Sequence, residues 1–244
     1  GSIPCVSILD WPHFSFRGFH TPLRSPKGYG VASIDEMLET YEWIIRRLAR
    51  YKYTHLCLSI VGSHGMRFES YPDLNLGTWE AQHIKRLSAF AKVRGIDVFP
   101  ELKTLGKFFH RMPEDKLSEY AHLLEPKKYI GQLDYQGQYH KGYKQKVEQL
   151  EEEQRALETE KNSTAALSGS FQVDNPAVFE FLRPVLDEVY AAFDHPEFFH
   201  IGGDESFYTA INADPEDRGR LMAEHMNRIA DYLQKSGTRV MMNN

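Results

Sequence analysis

Phe198-Phe199-His200-Ile201-Gly202-Gly203-Asp204-Glu205 is the stretch on which the reading of this chain turns. Apolar residues and a histidine run into two glycines and then two adjacent carboxylates. On a regular strand neighbouring side chains point to opposite faces, so Asp204 and Glu205 could not both reach one substrate from ideal β geometry. The Gly202-Gly203 pair lets the backbone leave that geometry, because glycine reaches torsions that other residues avoid. The expected product is a buried strand whose end delivers two acids to one place. A carboxylate pair is the basic equipment for acid/base work on a glycosidic bond. Taken alone, the same string also describes a Gly- and Asp-rich turn that merely ends a strand.

Working outward, apolar runs alternate with helical patterns, as a chain of (β/α) units requires. Strands are expected over 15–20, 55–61, 96–99, 198–201 and 239–242. A helix should start after Ser33, which can cap it with Glu36 three residues on. Met37, Leu38, Tyr41, Ile44, Ile45 and Leu48 then recur at helical spacing. Further helices are expected over 79–93, closed by Gly95, and over 117–124, 177–193 and 218–235. Residues 143–161 differ in kind. Tyr143, Val147, Leu150, Gln154 and Leu157 alternate four and three apart among Glu, Lys, Gln and Arg. That is a solvated helix with one narrow apolar seam, either an insertion lying outside the main body or a short coiled-coil contact.

The 244 residues, 41% hydrophobic and 26% charged, suffice for one large core. A net charge of -5 with both signs interspersed leaves no basic face, so nucleic acid is not an expected partner. No apolar run approaches the length of a membrane span. Cys5 and Cys57 sit among apolar residues as expected buried free thiols. The histidines are scattered, so neither a metal site nor a cofactor is expected. Compartment and oligomeric state stay open.

The string at 198–205 resembles the His-x-Gly-Gly-Asp-Glu signature of the glycoside hydrolase family 20 β-N-acetylhexosaminidases. Asn175-Pro176, Phe179-Glu180-Phe181-Leu182 and Val185-Leu186-Asp187-Glu188-Val189 are similar to the helix that precedes this strand in the family. Asp10-Trp11-Pro12-His13-Phe14-Ser15-Phe16-Arg17-Gly18 resembles the family's Asp-x-Pro-x-Phe-x-x-Arg-Gly lead into the first barrel strand. Gly95-Ile96-Asp97-Val98-Phe99-Pro100-Glu101 is similar to the third. The resemblance implies an α/β fold of (β/α)8 TIM-barrel type. Five strands cannot close an eight-stranded barrel, so the sequence reads as one truncated after the fifth strand. Residues 1–13 are then a lead-in from a missing upstream domain. Residues 14–244 are a partial barrel with a polar helical insertion at about 135–168, and this fragment alone is expected to be inactive.

What the resemblance implies for chemistry is a retaining exo-glycosidase that removes terminal N-acetylhexosamine from a glycan or glycoside. Its nucleophile would be the substrate's own 2-acetamido oxygen, so no protein nucleophile is needed. Glu205 would protonate the leaving oxygen and later activate water, and Asp204 would accept the amide N–H and steady the positive charge. Arg17 would grip sugar hydroxyls, from the same end of the first strand as the acids hold on the fourth. His200 either faces the pocket or is a hydrogen-bonded core residue.

Departures from the family pattern are substantial. The family's His-x-x-Asp after the second strand is Ser59-Ile60-Val61-Gly62 here. Its Pro-Glu-x-Asp-x-Pro-Gly-His is Pro100-Glu101-Leu102-Lys103-Thr104-Leu105-Gly106-Lys107, so lysines replace the Asp and His that position the general acid. A lysine beside Glu205 would lower its pKa, the wrong direction for an acid. Asn243 stands where relatives often carry a pocket tryptophan. The alternative to a divergent hydrolase is therefore a catalytically weak or inactive carbohydrate-binding member of the same fold.

Overall fold

In a computed structural model the described residues are 11–24, 26, 30–60, 65–74, 77–109, 112, 114–126, 167–204, 209–210 and 213–243. Their elements, in chain order, are β1 (Gly18–Pro22), α1 (Ile34–Arg50), β2 (His55–Ile60), α2 (Ala81–Lys92), β3 (Asp97–Leu102) and α3 (Glu114–Glu119). Then follow β4 (Leu124–Pro126), β5 (Leu167–Phe171), α4 (Pro176–Ala192), β6 (Phe198–His200), α5 (Pro215–Gln234) and β7 (Arg239–Met241). Five strands form one parallel sheet in the order β1-β2-β3-β6-β7, with β1 and β7 at its edges. This is the α/β, (β/α)8-type architecture with an open arc of five strands in place of a closed barrel.

The helices start where local chemistry says they should. Ser33 accepts the Glu36 N–H at 3.2 Å, and the Glu36 carboxylate takes the Ala32 N–H at 2.9 Å, which closes a reciprocal cap on α1. Asn175 accepts from Ala177 N at 3.0 Å, and Pro176 occupies the first turn of α4, where a missing N–H costs nothing. The apolar stripes of α1, α2 and α4 then cover one face of the sheet. Leu56, Leu58, Ile60, Leu102, Phe199 and Ile201 are buried there with Met37, Ile45, Leu87, Leu182 and Val185. Period-two alternation sends Cys57, Phe99 and Phe198 to the other face, where they form a separate small cluster with Met241. That inner face carries the site.

The expected helix and strand bounds shift at several places. The first strand is β1 (Gly18–Pro22) and not 15–20, because pairing with β2 begins only at Gly18↔His55. Its last residue is a proline, which an edge strand tolerates. The third strand runs three residues past the expected end, since Pro100, Glu101 and Leu102 keep register with Leu58, Ser59 and Ile60. The helix expected over 79–93 is shorter, α2 (Ala81–Lys92), because Trp79 pairs with Met66 in an isolated bridge and Glu80 is the cap. The helix expected over 117–124 is α3, which starts earlier, followed by a 3-10 turn (Ala121–Leu123). An antiparallel pair, β4 with β5, was not expected at all. Residues 1–10 of the lead-in, Cys5 with them, and the 143–161 helix lie outside the described residues. Of the insertion expected at 135–168 only Leu167 and Ser168 are described, and both belong to β5. Among the described residues no helix is long and apolar enough to cross a membrane.

Trp79 shows what the helix-side packing is worth. Its ring is wholly buried, edge-on to Tyr41 at 5.3 Å, and its indole N–H donates to Arg24 O at 2.8 Å. Trp79→Ala should therefore cost about 3–5 kcal/mol. The measurement is the urea midpoint at unchanged m value, and a shift of only a few tenths of a kcal/mol would contradict the packing role.

Candidate active site

The inner-face residues of five strands meet at the C-terminal end of the sheet. Glu101 and Lys103, two residues apart at the end of β3, project to the same side. Opposite them stands His200 of β6, paired in register with Glu101. After His200 the chain leaves β geometry as the two glycines allow: Gly202 has φ 76° and Gly203 φ 118°. A Cβ on Gly202 would lie 3.2 Å from both Leu102 O and Lys103 Cα, so only glycine permits so close an approach to β3. Backbone bonds then fix the turn between its neighbours. Ile201 N donates to Met241 O, and Asn243 N to Gly202 O, each at 2.9 Å.

This turn delivers Asp204 to Lys103. The Lys103 ammonium, buried, donates to Asp204 Oδ1 at 2.5 Å and to Glu101 Oε1 at 2.8 Å. Asn243 Nδ2 donates to the same Asp204 oxygen at 2.8 Å, while Lys107 Nζ stands 3.8 Å from Oδ2. His20 of β1 gives its Nε2–H to Glu101 Oε2 at 2.8 Å. His200 Nδ1 accepts the Gly202 N–H at 3.1 Å and lies 3.4 Å from Glu101 Oε1. Beneath the loop, buried His225 of α5 donates through Nε2 to Thr104 O at 2.8 Å, and Thr104 Oγ1 donates to Ile201 O at 2.7 Å. The loops after β3 and β6 are thus tied together from below.

The charges follow from these contacts. Burial would push the Glu101 carboxyl up, but hydrogen bonds from His20, Lys103 and Ser59 and the Lys103 charge outweigh it and hold it well below the usual carboxylate range. Burial likewise opposes ionisation of Asp204, and the Lys103 bond and charge reverse that, leaving its pKa lowered. Lys103 itself is raised, because the two carboxylates overcome the burial that would lower it. His200 is lowered by burial, so its neutral ring suits the acceptor role of Nδ1. Burial and the Glu101 charge push the Cys57 thiol up, which keeps it inert.

A cleft of about 380 Å³ opens over this network. Glu101, Lys103, His200, Asp204 and Asn243 line it with His20, while Phe16, Phe99, Cys57 and Met241 supply its apolar wall. Larger hollows of about 460 and 580 Å³ elsewhere contain neither Asp204 nor Lys103, so chemistry and not size selects this one.

Of the four expected site residues, Asp204 and His200 come together here. His200 both lines the cleft and is hydrogen-bonded, so the two readings of it merge. Glu205 lies outside the described residues. Arg17 does not join them, and its expected position is corrected. It precedes β1 at the N-terminal end of the sheet, where its guanidinium donates to Lys52 O at 2.5 Å, to Ser15 O at 3.2 Å and to Phe14 O. The reason is its neighbour. Phe16 points into the inner face, stacked on His55 at 4.2 Å and edge-on to Phe198 at 5.3 Å, so the next side chain points away. Sequence reasoning had Glu101 only as part of a strand motif and gave no role to His20, Thr104 or His225. The spacing of Glu101 and Lys103 on one strand face was the available signal.

The sequence profile "Glycosyl hydrolase family 20, catalytic domain" matches residues 38–242. The chain belongs to glycoside hydrolase family 20. No curated protein sequence matches this family 20 chain. Among solved structures it is similar to the Flavobacterium johnsoniae chitobiase, at 19% identity and a TM-score of 0.62, over 96% of this chain and 32% of that one. The exo β-N-acetylglucosaminidase of Vibrio harveyi, solved with N-acetylglucosamine, is similar at 20% identity and a TM-score of 0.62, over 96% of this chain and 36% of that one. The β-N-acetylhexosaminidase of Streptomyces coelicolor gives 20% and 0.59, over 96% and 40%. The chain therefore spans between 32% and 40% of the length of these relatives.

The charge network makes a test of its own. Glu101 and Asp204 have depressed folded pKa values, so they stabilise the native state above the ordinary carboxylate value of about 4.3, and that stabilisation is lost as pH falls through the folded values. The raised Lys103 contributes below its ordinary value of about 10.4 and is lost only as pH rises beyond it. Stability followed by urea unfolding should fall steeply between about pH 4 and pH 2, and Glu101→Gln should flatten that fall. Equal acid slopes for wild type and variant would show that Glu101 is not held ionised.

Proposed function

We propose that this family 20 chain carries the acid/base machinery of a retaining exo-glycosidase that removes terminal N-acetylhexosamine by substrate-assisted catalysis. The observation that supports it is Asp204, ionised at the C-terminal end of β6 and fixed over a small cleft, immediately before Glu205 in sequence. In this reading the 2-acetamido oxygen attacks the anomeric carbon as the glycosidic C–O bond breaks. Glu205 gives its proton to the leaving oxygen, and an oxazolinium ion forms. Asp204 accepts the amide N–H and balances the charge that develops there. Glu205 then takes a proton from water, which opens the oxazolinium with net retention. Chitobiase and N-acetylglucosaminidase activities named for the similar structures agree with an N-acetylated sugar as substrate.

One observation favours a second reading, a weakly catalytic or inactive carbohydrate-binding protein. The Lys103 ammonium 2.5 Å from Asp204 Oδ1 offsets the negative charge that an oxazolinium ion would need.

Assays of the full-length protein on aryl N-acetylglucosaminide and N-acetylgalactosaminide separate the two. Glu205→Gln should abolish cleavage of substrates with poor leaving groups and spare activated aryl glycosides in the first step. Asp204→Asn should lower both by about a hundredfold or more, the usual scale for a lost electrostatic partner. A thiazoline mimic of the intermediate should bind far more tightly than the free sugar. Undetectable wild-type turnover with no thiazoline binding would decide for the second reading.

A further inference from the structure

We infer that Lys103 is a positioning residue for this reaction: by bridging Glu101 and Asp204 it fixes which Asp204 oxygen meets the sugar's acetamido group. The inference rests on the reading of the cleft as a site for N-acetylated sugars, and it assigns a task to a residue that otherwise looks like a defect. Its basis is the way donors are distributed over one carboxylate. Lys103 Nζ, from the residue just past β3, and Asn243 Nδ2, from the segment after β7, both donate to Oδ1, at 2.5 and 2.8 Å. Oδ2 receives neither, and Lys107 Nζ at 3.8 Å is too far to bond it. A carboxylate held through one oxygen from two sides cannot rotate about Cβ–Cγ without breaking both bonds. Among the described residues no side chain hydrogen-bonds Oδ2, which leaves it to accept an amide N–H, in one orientation.

Glu101 holds the bridge in place. Its Oε1 accepts from Lys103 at 2.8 Å, its Oε2 accepts from His20 at 2.8 Å, and it is almost fully buried. An ammonium as buried as that of Lys103 needs such partners, because leaving water with its charge unmatched would cost too much. Among the described residues the charged and titratable groups around Asp204 are Glu101 of β3, Lys103 and Lys107 of the segment that follows it, His200 of β6, and His20 of β1 beyond Glu101. Of these, Lys103 is in direct contact and acts to keep Asp204 ionised, against burial and the Glu101 charge. Losing Lys103 should therefore raise the pH at which Asp204 ionises and, with it, the acid limb of activity.

The test uses the full-length protein, with Asp204 followed by carbon-detected NMR of its carboxyl group in the absence of ligand and with kcat and KM measured against pH. Lys103→Met removes the bridge but strips Glu101 of its counter-charge, and that variant risks unfolding. Lys103→Met/Glu101→Gln removes both charges together and serves in its place. In the folded variant the Asp204 midpoint should rise by about one to three pH units, the scale of a lost opposite charge at contact distance. The acid limb of kcat/KM should move up with it, and kcat at its plateau should fall at least about tenfold with KM changed little, as expected when orientation and not binding is lost. An unmoved Asp204 midpoint, or an unchanged acid limb and kcat in an active enzyme, would reduce Lys103 to a structural ion pair and overturn the inference. A wild type that shows the NMR shift on mutation yet turns over no substrate would overturn it too, by a different signature, since the hydrolase reading itself would have failed.

Discussion

A buried ammonium needs carboxylates about it, and the two that Lys103 finds come from different parts of the chain. Glu101 is two residues before it on β3; Asp204 is 101 residues later, beyond the glycine turn. Because neither charge is stable alone away from water, the contact fixes the ends of β3 and β6 relative to each other. The network then spreads. His20 brings β1 to Glu101, and Asn243 brings the segment after β7 to Asp204. On the helix side the sheet is held by apolar burial. On the inner side it is held by the small cluster of Cys57, Phe99 and Phe198 and by this polar chain, every member of which has a partner, and that is the condition under which such a network adds order to a fold.

The same contact sets a conflict for the proposed chemistry. A carboxylate that must steady a cation is most useful when its own charge is unopposed, and Lys103 opposes it at contact distance. Position and field strength therefore pull against each other at Asp204. The partial escape lies in Glu101, whose negative charge is shared with the same ammonium. Counting the three groups, two carboxylates face one lysine, so the cluster keeps a net negative charge at neutral pH. Lys107 is too distant from Oδ2 to bond it, although it reduces that surplus.

What could be read from the sequence, and what could not, divides along physical lines. The glycine pair was legible because only a torsion barred to other residues puts two consecutive acids past a strand, and Gly202 and Gly203 have such torsions. The helices were legible to within a few residues, since their stripes and caps are local. Strand ends were less so: whether Ser15 or Gly18 begins the first strand depends on where β2 lies, and nothing near residue 15 encodes that. The Lys103 bridge was legible only in half. Its spacing from Glu101 shows a shared face, but the 101-residue separation from Asp204 can be closed only by the fold. Asn243 was read as an absent tryptophan, and its amide instead takes up one side of Asp204.

Arg17 carries the lesson furthest, because its displacement has a cause one residue away. Gly18 lines the cleft, and a Cβ there would lie 2.8 Å from the Phe16 ring. The absence of a side chain at 18 is thus what lets Phe16 lie across the inner face, against His55, Phe198 and Phe99. Neighbouring residues on extended chain face opposite ways, so a Phe16 turned in requires an Arg17 turned out. Its guanidinium finds carbonyl oxygens of Phe14, Ser15 and Lys52 there. An arginine that reached the sugar would have to give up those bonds and expel the aromatic ring from the cleft wall. In this arrangement the end of the cleft away from Asp204 is apolar, and the polar groups of its lining gather around Lys103.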